Sequence, residues 1–204
     1  MKNSLFTFVI VCLLVSVVSA QEQKPVDDWK LHGFVEQQYR PTQDFSSTSL
    51  WLTAKKEISN VGIFNFSQIV NPSAPTKVNY WQSYAGAYIG KATGLGFLEG
   101  GVAAGAEAGG HLRLAAYAFV ASKRGGVSLF VIHEQGLYRG SGWTRLHAMK
   151  SVTKGLKVGY HHQTYLGDGI NADLKIGKTP LSIFAVVARD YGQTKSMIAV
   201  RYNF

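Results

Sequence analysis

Residues 195–204, KSMIAVRYNF, constrain this chain most. Successive side chains of an extended strand point to opposite faces. Ile198, Val200, Tyr202 and Phe204 therefore share one face, and Met197, Ala199, Arg201 and Asn203 share the other. Such a strand needs an apolar medium on one side and a polar one on the other. The pattern recurs upstream. Ile170, Ala172, Leu174 and Ile176 alternate with Asn171, Asp173, Lys175 and Gly177, and Leu156, Val158 and Tyr160 alternate with Lys157, Gly159 and His161. Leu112, Leu114 and Ala116 alternate with Arg113, Ala115 and Tyr117, and Leu31, Gly33 and Val35 oppose His32, Phe34 and Glu36.

Turn residues punctuate these runs. Gly, Pro, Asn, Asp or Ser mark most of eleven turns, at residues 42–47, 59–60, 71–76, 91–93, 108–110, 123–126, 139–142, 153–155, 167–169, 178–180 and 192–194. Twelve segments result. Each averages about 15 residues, of which a tilted membrane-spanning strand needs about 9–11. Twelve is even, as closed bacterial barrels require, and ten or eight strands are the alternative counts. The expected fold is all-β, a closed antiparallel transmembrane β-barrel. Residues 127–138 and 181–191 are apolar on both faces and leave their facing open. Residues 85–108, rich in Gly and Ala, also admit a helix through the small-xxx-small spacing of Gly86, Gly90 and Gly94. Lys91, Glu99, Glu107 and the many glycines favour strands instead.

The first residues carry an export pattern. Lys2 precedes an apolar run over residues 5–18, and Val18, Ser19 and Ala20 supply the small residues of a cleavage site. The run is shorter than the roughly 20 residues of a spanning helix. Residues 1–20 are therefore expected to be a cleaved signal peptide, and residues 21–204 the barrel. Cys12, the single cysteine, lies inside the signal, which removes disulfides and thiol chemistry from the mature chain.

The cleavage pattern, the amphipathic strands and the closing Ile198-Ala199-Val200-Arg201-Tyr202-Asn203-Phe204 together resemble small Gram-negative outer-membrane β-barrel proteins of porin-like type. The resemblance covers the mature chain in pattern only. In that group a terminal Phe with alternating apolar residues belongs to the signal read by the barrel-insertion machinery. The resemblance thus implies Tyr202 and Phe204 as the insertion signal, the bacterial outer membrane as the location, and the insertion machinery and outer-membrane lipids as partners. Twelve strands also serve narrow channels for acidic oligosaccharides in that group, with no residue motif to carry over.

The lumen decides the function. Alternation directs Lys55, Arg113, Arg145, Lys157, Lys175 and Arg201 inward, against Glu36, Glu57, Glu99, Glu107, Glu134 and Asp173. His161 joins this expected pore lining. The formal net charge of +9 therefore lies mainly outside the lumen. The acids concentrate in the first half of the chain and the bases in the second, which suggests a field across the pore. The basic residues are dispersed, which argues against nucleic acid as a partner. A narrow passive channel for small polar or charged solutes is the expected function. A structural barrel plugged by salt bridges is one alternative.

A lipid hydrolase is the other. His161 or His162, with Asp168 or Asp173 and a hydroxyl from Thr164 or Ser141, would form a nucleophile–base–orienter set. Outer-membrane phospholipases are partly similar in carrying His-x-Ser on a strand, where this chain has His162-Gln163-Thr164. A histidine pair beside a hairpin turn explains the same residues. No enzyme activity and no cofactor are expected. His147, His161 and His162 have no spacing diagnostic of a metal site.

Overall fold

A computed structural model describes residues 29–43, 45–56, 60–72, 80–138 and 142–204. The expected signal peptide lies outside the described residues. Twelve strands follow one another: β1 Trp29–Arg40, β2 Phe45–Lys56, β3 Val61–Pro72, β4 Tyr80–Ala92, β5 Gly96–Glu107, β6 His111–Ser122, β7 Val127–Gly136, β8 Gly142–Ser151, β9 Leu156–Gln163, β10 Gly167–Lys175, β11 Leu181–Asp190 and β12 Gln193–Asn203. A single turn of 3-10 helix, Pro41–Gln43, joins β1 to β2.

Each strand pairs antiparallel with its sequence neighbours, and β1 pairs with β12, so the sheet closes into a barrel. Twelve strands is the count expected from the turns. The seam aligns Val35 with Tyr202, Glu36 with Arg201 and Tyr39 with Ile198. Phe204 continues it: its N–H donates to the Gly33 carbonyl and its carbonyl accepts from the Gly33 N–H, both at 3.0 Å. Residues 85–107 fall in β4, β5 and the turn between them, and Ala108 opens the next turn, so the helical reading of that stretch is excluded.

Alternation sorts the side chains as a barrel demands. Ile63, Ile89, Val102, Leu112, Ile170 and Val187 are exposed on the outer wall. This apolar belt fits a membrane. The two strands of open facing are resolved by burial. Ile132 and Glu134 of β7, and Phe184, Val186 and Ala188 of β11, are buried in the lumen, while Val187 is outside. Trp51, Tyr80 and Trp143 turn into the lumen rather than toward the membrane interfaces. Trp51 and Trp143 pack on the lumen cluster, and the Tyr80 hydroxyl donates to Glu107.

Glycine makes room for that cluster. A Cβ on Gly101 would lie 2.5 Å from Cε1 of Tyr117, so the Tyr117 ring can lie against the β5 backbone only where a side chain is missing. One turn lies wholly outside its expected position. Residues 167–169 open β10, and the turn is made by Thr164, Tyr165 and Leu166. Gly167 is needed because β11 comes close: a Cβ there would lie 2.2 Å from the Arg189 carbonyl oxygen.

The outer wall makes a direct prediction. Ile170→Arg places a charge in the apolar belt and should lower stability in liposomes by about 2–4 kcal/mol. Ile170→Leu should leave it unchanged. Denaturant titration followed by tryptophan fluorescence measures both, and equal midpoints for the two variants would show that this wall does not face lipid.

Candidate pore and its septum

Three groups of side chains fill the lumen, each from a different arc of the wall. Over β2 to β7 the inward positions carry rings: Phe64 and Phe66 share the inner face of β3, and Tyr84 and Tyr88 that of β4. Trp51 stands edge-on to Tyr117, with ring centres 5.2 Å apart, and Phe64 stands edge-on to Tyr117 at 4.9 Å. Phe130 closes the group at 6.0 Å from Trp51. Aromatic pairs of this geometry contribute about 0.5–1.5 kcal/mol each beyond area burial.

The second group is ionic and crosses the lumen. Glu36 on β1 is fully buried, where an unpaired carboxylate would be costly. It accepts from Arg201 Nη2 at 2.5 Å and Nε at 3.1 Å, from Arg145 Nη1 at 3.2 Å, and from Gln38 Nε2 at 2.6 Å. Arg201 is the seam neighbour of Glu36, but Arg145 stands on β8, across the barrel. Arg201 also reaches Asp173 at 3.4 Å. Phe184 lies beneath both guanidinium groups, 5.6 Å from Arg145 Cζ and 5.5 Å from Arg201 Cζ. His147 accepts from Arg145 Nε at 2.6 Å and stacks on Phe184 at 5.0 Å, and His161 lies 4.7 Å from His147.

The third group is a turn folded inward. Leu166 is fully buried among the lumen-facing Val186, Ala188, Met197 and Ala199. Small residues at Ala188 and Ala199 leave the space that it takes. Tyr165, with φ +70°, turns the chain into the barrel, and Lys195 straps it: Nζ donates to the Tyr165 carbonyl at 3.0 Å and pairs with Asp190 at 2.5 Å.

These groups separate two chambers. At the end that carries both termini, connected cavities of about 300 and 410 Å³ share Lys157, Asp173 and Arg201 as walls. Lys154 and Lys175 line the mouth, and Phe34, Trp51 and Glu99 line the deeper part. At the far end a cavity of about 380 Å³ is lined by Arg40, Glu107, Arg113, Trp143, Gln163 and Tyr165, among others. Among the described residues none lines chambers on both sides, and Glu36, His161, Phe184 and Met197 between them are shut off from water. A separate network holds the far chamber. Arg113 pairs with Glu107 at 2.7 Å, and the Tyr84 hydroxyl accepts from Arg113 Nε at 2.8 Å while donating to Glu134 at 2.8 Å.

The expected pore residues thus divide by depth. Glu36, Arg145, Asp173, Arg201 and His161 meet in or beside the septum. Glu107 and Arg113 pair beyond it. Glu99, which accepts from the Tyr117 hydroxyl at 2.9 Å, lines the termini-side chamber with Lys157, and Lys175 stands at its mouth. The Lys55 side chain and Glu57 lie outside the described residues. Tyr202 and Phe204 stack at 6.5 Å beside the seam. Charge is also sorted along the axis, and in the termini-side chamber Glu99 of β5 shares the cavity with Arg145, Lys157 and Arg201 of β8, β9 and β12. The termini-side mouth gathers Lys154, Lys157, Lys175 and Arg201 against Asp173, whereas the far chamber balances Arg40 and Arg113 against Glu107 and Glu134. Leu166 and Tyr84 were not visible as lumen residues. Leu166 lies in a turn, outside any alternating run, and Tyr84 carries no charge to draw notice.

Of the hydrolase set, the base and the orienter meet: His162 Nδ1 lies 2.9 Å from Asp168 Oδ1, and the pair is exposed on the outer wall. The Thr164 hydroxyl is engaged elsewhere, accepting from the Thr144 N–H at 2.9 Å. Ser141 lies outside the described residues. Among the described residues no group of three or more metal-ligating side chains comes together.

Glu36→Ala should cost about 3–5 kcal/mol of stability by leaving two arginines facing each other. Adding Arg145→Met should recover part of that loss, which a double-mutant cycle in denaturant would measure. Strict additivity would mean that the two side chains are not coupled.

No protein-family profile matches the chain, and no curated protein matches it. Solved structures do. The chain is similar to KdgM porin in complex with disordered oligogalacturonate, at 12% identity and a TM-score of 0.59, over 85% of this chain and 99% of that one. It is likewise similar to a second structure of KdgM porin, at 11% identity and a TM-score of 0.57, over the same shares. At these identities the likeness is one of fold.

Proposed function

We propose that this protein is a narrow passive channel of the bacterial outer membrane, admitting small polar and charged solutes. The observation that carries the reading is the pair of charged chambers entering one lumen from opposite ends and separated by side chains alone. No strand or helix blocks the path among the described residues. The septum is then the narrowest layer. Leu166 is the part of it that a turn carries, while Glu36, Arg145 and Arg201 stand on strands.

The basic termini-side mouth supports a preference for anionic solutes, since like-signed side chains at a pore mouth raise the local concentration of the opposite ion. Aromatic rings beside those bases suit the C–H faces of sugar acids, whose carboxylates would meet the bases. The similar porin structure that holds oligogalacturonate supports this solute class. The termini-side end would face the periplasm, residues 1–20 would be the cleaved signal, and Tyr202 with Phe204 would engage the barrel-insertion machinery.

Purified protein in planar bilayers should give discrete conductance steps. Well-folded protein without steps, in wild type and in Leu166→Ser alike, would overturn the reading. Leu166→Ser should conduct more per step, with a stability cost of about 2–5 kcal/mol from the lost packing. The triple variant Lys154→Gln, Lys157→Gln, Lys175→Gln should move the reversal potential in a salt gradient toward cation selectivity. An unmoved potential would place the selectivity elsewhere.

A further inference from the structure

The deeper termini-side chamber, a cavity of about 300 Å³, is bordered by charges of both signs. Register fixes where they stand. Glu99 lies opposite Phe119, Phe119 opposite Phe130, and Phe130 opposite His147, in one inward row from β5 to β8. That row meets β9 at His161, and Lys157 lies four residues nearer the termini end of the same strand. Strands tilted by about 35–45° introduce an offset of this size over four strand spacings. Glu99 and Lys157 accordingly line one cavity from separate arcs of the wall, with β6, β7 and β8 between them. Phe119, Phe130 and Met149 line the part between, which is apolar.

The two poles differ in kind. Glu99 Oε1 accepts from the Tyr117 hydroxyl at 2.9 Å, and Phe119 is its neighbour on β6. A carboxylate takes about four hydrogen bonds, so the Tyr117 contact leaves it further acceptor capacity. A carboxylate among aromatic rings suits an ammonium group, which is attracted by the ring faces as well as by the charge. At the basic pole Arg145 and Arg201 are committed to Glu36, and Arg201 also to Asp173. Lys157 is exposed, lines the cavity, and forms no ion pair with a described residue. Four strand spacings of about 4.8 Å separate the two positions along the wall. A single amino acid, with both charges on one carbon, cannot meet both poles. An extended dipeptide carries its two charges about 7 Å apart, and the Glu99 and Lys157 side chains reach inward from either end.

We propose that this chamber binds a short zwitterionic peptide, free at both ends and apolar in its side chains, with its ammonium at Glu99 and its carboxylate at Lys157. Its side chains lie on Phe119, Phe130 and Met149. The chamber is at the small end of the roughly 300–1,000 Å³ range of ligand pockets, which suits a peptide of two residues. The basic mouth admits solutes that carry an acid group, and the Glu99 pole adds a demand for an ammonium at the opposite end. The proposal names the solute of the channel proposed above and rests on that reading for transport. The binding itself is tested without conduction.

The test is isothermal titration calorimetry on the complete barrel, residues 21–204, folded in detergent. Three probes share one body: alanylphenylalanine, its N-acetyl form without the ammonium, and its amide without the carboxylate. The free dipeptide should bind about tenfold tighter than either capped form. Glu99→Gln, which keeps an acceptor for Tyr117, should remove the advantage over the N-acetyl form. Lys157→Gln should remove the advantage over the amide. Equal affinity for the three probes in the wild type would overturn the site, and that comparison needs no variant to fold. Unchanged ratios in folded Glu99→Gln and Lys157→Gln would also overturn it, as would digalacturonate bound as tightly as the free dipeptide. Dipeptide preference without conductance steps would leave this site standing and remove the channel. Conductance steps without dipeptide preference would leave the channel standing and remove this site.

Discussion

Closure of the backbone is the constraint on which everything else depends. In hydrocarbon, each unpaired peptide group costs several kcal/mol, so a sheet spanning it must have no edge. The β1–β12 seam meets that demand, and the chain spends its last residue on it through the paired bonds between Gly33 and Phe204. Once the sheet is closed, alternation leaves no freedom. Every second side chain meets the outer wall, and every other one must find room in a lumen only twelve strands around.

The lumen shows how that crowding is resolved. Rings and glycines occupy facing positions on one arc, as at Tyr117 and Gly101. Ionic side chains that cannot be left dry and unpaired gather around Glu36. Because Arg145 reaches that carboxylate from the opposite wall, the same contacts that satisfy buried charge also narrow the path. The layer that pairs the buried charges is therefore also the narrowest one, and the wider chambers on either side carry the field of their charged walls.

The outer wall obeys the same rule with the opposite solvent. Most of its length is apolar and uniform. The departure at His162, Asp168 and Arg189 places polar side chains on three neighbouring strands at the end of that wall opposite the termini. In the chain His162 and Asp168 suggested a hydrolase with Thr164 or Ser141; the two meet on this wall, while the hydroxyl of Thr164 bonds to the β8 backbone.

The sequence by itself determined the closed antiparallel barrel, its twelve strands, most of its turns, and the facing of strands such as β10 and β12. These follow from period-2 alternation and local turn chemistry, which are written in neighbouring residues. It also placed Glu36, Arg145, Asp173 and Arg201 among the inward residues. Only the tertiary structure decided that these four meet in one septum, that charge is sorted along the axis, and that Leu166 folds inward. Those outcomes depend on which walls face each other across the closed lumen and on the stagger between strands. Residues 36 and 145 are distant in the chain, and nothing in the sequence around either names the other.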